Sequence, residues 1–282
     1  QNDQIQNMVL QGADVLIVVA QDGQAAVTAV DAAAREGIPV IAYDRLIPSP
    51  NLAAYLSFDN VAVGEAQAEG VTAVQDSGRF VLLGGSPVDN NARLFRKGQM
   101  NVLQPLIDAG DIEVVADQWV ENWDPNNALN LMENILTAQN NNVDAVVASN
   151  DGTALGALQA LSAQGLAGEI PISGQDATLA GCKSIVEGEL TVTVFKDVRK
   201  LSPAAMDMAI QLAQGEEVSG LQDFTLAELT LDDSLEGSVP CRFLPVVKVT
   251  QDNVYEEVIL TGFQPYDEVY ANVPEDERPP RP

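Results

Sequence analysis

Short apolar runs rich in β-branched residues alternate with longer segments of helical spacing along nearly the whole chain. That alternation restricts the fold more than any other feature. "ADVLIVVA" precedes "QAAVTAVDAAAREG", which leads into "IPVIAYD". "RFVLLGG" precedes "NNARLFRKGQMNVLQPLIDAG", and "IEVVADQ" precedes "DPNNALNLMENILTAQ". Then "VDAVVAS" is followed by "GTALGALQALSAQG", "EIPISGQD" by "ATLAGCKSIVEG", and "LTVTVF" by "SPAAMDMAIQLAQG". Runs that are apolar at nearly every residue leave no face for water, so their strands belong in parallel sheets covered by helices on both sides. The predicted class is α/β. Asp124 is placed to cap a helix that starts at Pro125 and turns Leu129, Met132, Ile135 and Leu136 to one face. The closing "PEDERPPRP" is proline-rich and charged, and is expected to trail as a tail.

A chain of 282 residues, 46% of them hydrophobic, can fill two cores rather than one. Its longest apolar runs, such as "VLIVVA", fall far short of the roughly 20 residues that cross a bilayer. Forty-one acids against 14 bases give a net charge of -27. That charge repels phosphate backbones and anionic headgroups, which argues against a nucleic-acid partner. It suits a high-salt or extracellular setting. Cys182 and Cys241 permit one disulfide. The chain has no histidine, and "GGSP" at 84–87 lacks the spacing of either phosphate-binding glycine loop. With no metal-ligand cluster either, neither a cofactor nor an enzymatic activity is expected.

In open parallel sheets ligands sit at the carboxyl ends of the strands, and polar residues collect there. Asp44 and Arg45 follow "VIAY"; Asp89, Asn91 and Arg93 follow "FVLLGGSPV"; Trp119 and Trp123 lie past "IEVVAD". Asn150 and Asp151 follow "DAVVAS", Gln175 and Asp176 follow "IPISG", and Lys196 follows "LTVTVF". Taken singly, each has a structural reading: Asp151 as a helix cap, Asn150 as a cap or a contact, Asp44 with Arg45 as an ion pair, a tryptophan as core. Carboxylates, amides, fixed cations and aromatic faces recurring at several strand ends suit a sugar, whose hydroxyls both donate and accept and whose C–H face packs on an indole.

Seven stretches carry a family resemblance: "VIAYDRLI", "YLSFDNVAVGEAQA", "GGSPVDNNARLFRKGQM", "DQWVENWDPNNAL", "VDAVVASNDGTALGALQALSAQGL", "ISGQDATLAG" and "TVFKD". Together they resemble the ribose/galactose-type periplasmic binding proteins of bacterial ABC sugar importers, in the branch that binds D-xylose. The resemblance implies two Rossmann-like lobes joined by a three-crossing hinge near Ser57 to Asn60, Phe195 to Asp197, and Pro245. The implied division is 1–58 with 197–245, then 59–196 with 246–270, then a tail at 271–282. It further implies that one sugar is clamped between the lobes, with Asp44 and Arg45 reaching it from the first. Asp89, Asn91, Asn150 and Asp176 would reach it from the second lobe, Trp123 would stack on it, and Lys196 would touch it from the hinge. Arg93 matches a basic position without an implied contact. Asp44 and Arg45 are expected to hold each other by mutual attraction. The family's first strand and helix are expected to be missing, leaving two open edges about an absent middle strand, and the lack of a leader fits a processed product. The implied function is an extracytoplasmic, monomeric solute-binding protein, periplasmic or a cell-surface lipoprotein, delivering D-xylose or a close pentose to an ABC permease. The alternative is a sensory module of the same fold that signals to a sensor kinase.

Overall fold

The computed structural model describes every residue from Gln1 to Pro282. The chain opens with α1 (Asn2–Leu10), β1 (Leu16–Val18), α2 (Gly23–Arg35), β2 (Val40–Tyr43), β3 (Ala54–Phe58) and α3 (Asn60–Thr72). It continues through β4 (Gly78–Gly84), α4 (Asn90–Ala109), β5 (Ile112–Trp119), α5 (Pro125–Ala138), β6 (Ala145–Ala148) and α6 (Asp151–Ala163). There follow β7 (Ser173–Gln175), α7 (Leu179–Val186), β8 (Val192–Phe195), α8 (Val198–Ala213), β9 (Gln222–Thr225) and α9 (Leu226–Thr230). The last elements are β10 (Ser238–Leu244), β11 (Val247–Val249) and α10 (Tyr266–Val269). They form two compact units, one of residues 1–60, 88–94 and 197–245, the other of 61–87, 95–196 and 246–282.

The first unit holds a sheet ordered β1-β2-β3-β10-β9. Its first four strands are parallel, with Leu16 opposite Val40, Ile41 opposite Ala54 and Cys241 opposite Tyr55, while β9 runs antiparallel to β10. In α2, Asp22 caps the first turn by accepting from the Ala25 amide, and Ala26, Ala29, Val30 and Ala33 are buried. That spacing of three and four residues puts them on one stripe against the sheet. Val40, Tyr55, Val239 and Cys241 complete the same core. The expectation of two edges about an absent middle strand is corrected here. β1, β2, β3 and β10 pair without a gap, because the register carries each strand directly onto the next.

The second unit holds two ladders, β5-β4-β6 and β11-β8-β7, linked by a parallel bridge between Val146 and Ile172. Every pairing is parallel except that of β11 with β8. Asp124 caps α5 by accepting from the Asn126 amide, Pro125 opens the helix, and Met132, Ile135 and Leu136 are buried. Where α3 meets α4, a Cβ on Gly64 would lie 2.0 Å from the Phe95 carbonyl oxygen, and one on Gly98 would lie 2.0 Å from that of Val61. Backbone therefore touches backbone at this crossing, which fixes where Phe95 stands. The closing residues do not trail as expected. The Tyr255 hydroxyl donates to the Pro280 carbonyl at 2.7 Å, Tyr266 donates to that of Pro279 at 2.6 Å, and Arg281 pairs with Asp267. A proline-rich segment leaves its carbonyls without helical or sheet partners, and two tyrosines supply them. Cys182 and Cys241 are both free thiols, buried in separate units, and burial pushes each up to about 12.

Candidate functional site

In the first unit the polar network is organised by one backbone carbonyl. β2 ends at Tyr43, and Asp44 turns out of it with φ at 60°. A non-glycine residue is held in that left-handed region only when its surroundings over-determine it, although Asp tolerates it better than most. The surroundings do so. The Asp44 amide donates to the Leu56 carbonyl at 2.8 Å. Its own carbonyl accepts from the Tyr55 hydroxyl at 3.0 Å, the Ser57 hydroxyl at 2.7 Å and the Asn91 amide at 3.1 Å. Asn91 in turn accepts from Asn60 Nδ2 at 2.9 Å. Tyr55 is fully buried, and burial pushes its phenol well above the ordinary value, so it serves as a neutral donor.

Arg45 leaves the next residue in a different direction. Its Nε meets Asp89 Oδ2 at 2.9 Å, and its Nη1 lies 3.4 Å from the Ala20 carbonyl past the end of β1. Arg45 is thus ion-paired with Asp89, a partner that the sequence does not announce. Asp89 is buried and also caps α4, accepting from the Asn91 amide at 3.0 Å. The structure thus brings Asp44, Arg45, Asp89 and Asn91 into one network in the first unit. Segment 88–94 groups with that unit, whereas the implied division put Asp89 and Asn91 on the other lobe. Arg93 is exposed on α4 and helps hold the Asp232 carboxyl below the usual range, behind the larger effect of Ser234.

In the second unit the candidates stand at the ends of β5 to β8. Lys196 is buried, with Nζ 5.7 Å from the centre of the Phe95 ring. Trp123 packs edge to face on the same ring, with centroids 6.2 Å apart at 64°. Asn150 caps α6, accepting from the Thr153 amide at 2.8 Å in a reciprocal capping box. Asp151 is therefore not the cap that its position suggested. It is wholly buried, and burial above all, with the nearby charge of Asp176, pushes its carboxyl up to about 7 against hydrogen bonds from Thr193 and Thr178. Asp176 follows β7 with φ at 100°, and its Oδ1 accepts from Gln175 Nε2 at 2.7 Å.

The sequence does not mark Tyr55 or Phe95 as part of the network, and it marks Ser57 and Asn60 only as ends of an implied hinge crossing. Tyr55 and Ser57 lie inside an apolar run, and Phe95 lies on a helix face, so their residue types announce core rather than site. Asn60 Oδ1 and Gln175 Oε1 are buried with no hydrogen-bond partner in the chain. Orphaned acceptors of this kind are rare in protein interiors and suit a hydroxyl donor. Trp123 depends on Gly85, since a Cβ there would lie 1.9 Å from its ring. Gly85→Ala should displace the indole and destabilise the fold by about 1–3 kcal/mol, with a changed near-ultraviolet circular dichroism band. An unaltered band and unfolding midpoint would show that the ring is not seated on Gly85.

Carboxylates, amides, two cations and an aromatic pair at these strand ends are the groups that suit a polyhydroxyl ligand. Residues 1–217 match the family model described as "Periplasmic binding protein domain". The chain is 49% identical to the D-xylose-binding periplasmic protein of Escherichia coli (strain K12), over 95% of this chain and 79% of that one. It is also 49% identical to the D-xylose-binding periplasmic protein of Haemophilus influenzae, over 96% and 79% of the two chains. Among solved structures, it resembles a carbohydrate transporter solute binding protein from Chloroflexus aurantiacus in complex with D-glucose. That match has a TM-score of 0.86 and 32% identity, covering 95% of this chain and 84% of the other. A match of this extent, on a fold of parallel sheets in two units, means that the chain belongs to the periplasmic binding protein family.

Proposed function

We propose that the chain is an extracytoplasmic solute-binding protein that takes one D-xylose, or a close pentose, and delivers it to an ABC permease. It is a binding protein and not an enzyme. The observation that carries this reading is the network about the Asp44 carbonyl, which fixes Arg45, Asp89 and Asn91 at strand ends in a chain 49% identical to D-xylose-binding proteins. A ligand with several hydroxyls rewards such a site, because each buried donor or acceptor it satisfies would otherwise go unpaired. We assign sugar contacts to Asp44, Arg45, Asp89 and Asn91 of the first unit and to Trp123, Asn150, Asp176 and Lys196 of the second. The protein acts as a monomer, with no nucleic acid among its partners. The sensory-module reading stands below this one, since the Chloroflexus aurantiacus neighbour is named as a transporter component.

Titration calorimetry with D-xylose, D-ribose, D-glucose and an amino acid tests the reading. One D-xylose per chain, bound more tightly than the others, is the expected result. Absence of heat with D-xylose beside clear binding of a hexose or an amino acid would overturn the pentose assignment.

A further inference from the structure

The turn that carries Asp176 is held by a carboxylate that does not belong to it. Asp176 and Ala177 are consecutive non-glycine residues with φ at 100° and 47°, a conformation that must be imposed from outside. Its bonds are therefore informative. The Asp176 amide donates to the Val194 carbonyl at 2.9 Å, and the Ala177 carbonyl accepts from Gln264 Nε2 at 2.9 Å. The Ala177 amide donates to Thr193 Oγ1 at 3.1 Å, which leaves that hydroxyl's proton to Asp151 Oδ1 at 2.7 Å. Thr178, the next residue, gives both its amide and its hydroxyl to Asp151 Oδ2 at 2.8 Å. The Thr178 hydroxyl is itself fixed as a donor, because its oxygen accepts from the Gly181 amide at 3.0 Å.

Every donor that reaches Asp151 is thus already oriented toward it, and both of its oxygens are needed as acceptors. The space is cut to the group as well. A Cβ on Gly174 would lie 2.3 Å from its Oδ1, and one on Gly181 would lie 2.1 Å from its Oδ2. Asp151 is wholly buried at the first turn of α6, yet its side-chain bonds run to 178 and 193 rather than to its own helix. The geometry points to Asp151 as a positioning residue for ligand binding: it touches no ligand, and it fixes the 176–178 turn so that Asp176 meets the sugar in one orientation. This rests on the reading of Asp176 as a sugar contact.

A double-mutant cycle on D-xylose affinity separates positioning from general support. Asp151→Asn keeps the shape but turns an NH2 group toward fixed donors on one side. It should weaken binding about tenfold to a hundredfold in the parent, and less than about twofold in an Asp176→Ala background. Thr193→Val, which removes one donor and leaves Asp151 in place, should show the same dependence on Asp176 and covers the case in which Asp151→Asn does not fold. Equal losses in both backgrounds, or no loss in the parent, would overturn the proposal even with sugar binding intact. A parent that binds no monosaccharide would overturn the functional reading, and this inference with it.

Discussion

Asp176→Ala should weaken D-xylose binding by about 2–4 kcal/mol, roughly 30-fold to 1,000-fold, while the protein stays folded. The carboxylate follows β7 with one oxygen engaged by Gln175 Nε2 at 2.7 Å. Removing it leaves the sugar hydroxyl without an acceptor and Gln175 without its partner, and the stranded groups account for most of the loss. Alanine also tolerates φ at 100° less well than aspartate, at a cost of about 1 kcal/mol. Asp176→Asn keeps a side chain suited to that backbone and removes only the charge. It should therefore bind less tightly than the parent, more tightly than the alanine variant, and unfold near the parent midpoint. An Asp176→Ala protein that binds D-xylose like the parent would reduce the residue to a turn former.

Asp89→Ala should cost both stability and binding. The Asp89 side chain is 2% exposed, and it meets Arg45, itself 29% exposed, at 2.9 Å. It also accepts from the Asn91 amide at 3.0 Å as the cap of α4. Loss of a cap costs about 1 kcal/mol. Breaking a buried pair costs about 3–5 kcal/mol, less where one partner reaches water, so about 2–4 kcal/mol in urea unfolding is expected for the variant as a whole. Asp89→Asn retains an oxygen for the cap and should recover the smaller share. Unchanged unfolding of Asp89→Ala would mean that Arg45 finds water as good a partner.

The parallel α/β plan was legible because apolar strands and capped helices write themselves in local periods. Asp22, Asp124 and Asn150 all cap helices, and the strands called from apolar runs all form. The parallel strands β3 and β10 and the antiparallel strands β9 and β11 were not read. β9 is the polar "QDFT", and β11 is three residues long, so neither displays a period. The site was legible as a set of strand-end residues but not as a set of partners. Asp151 looks like a cap from its place before "GTALG", and only the fold reveals that its acceptors are claimed by Thr178 and Thr193. The pairing of Arg45 with Asp89 likewise joins residues far apart in the chain, which adjacency in sequence cannot show. The roles of the Tyr55 and Ser57 hydroxyls were hidden for the opposite reason, since a hydroxyl inside an apolar strand reads as tolerated core until the carbonyl it serves is known.

A crystal structure of the protein grown with D-xylose puts the binding assignment to the most direct test. One sugar ring should lie with its hydroxyls within hydrogen-bond distance of Asp44, Arg45, Asp89, Asn91, Asn150, Asp176 and Lys196 and its C–H face on Trp123. A ring bound away from these residues would contradict it.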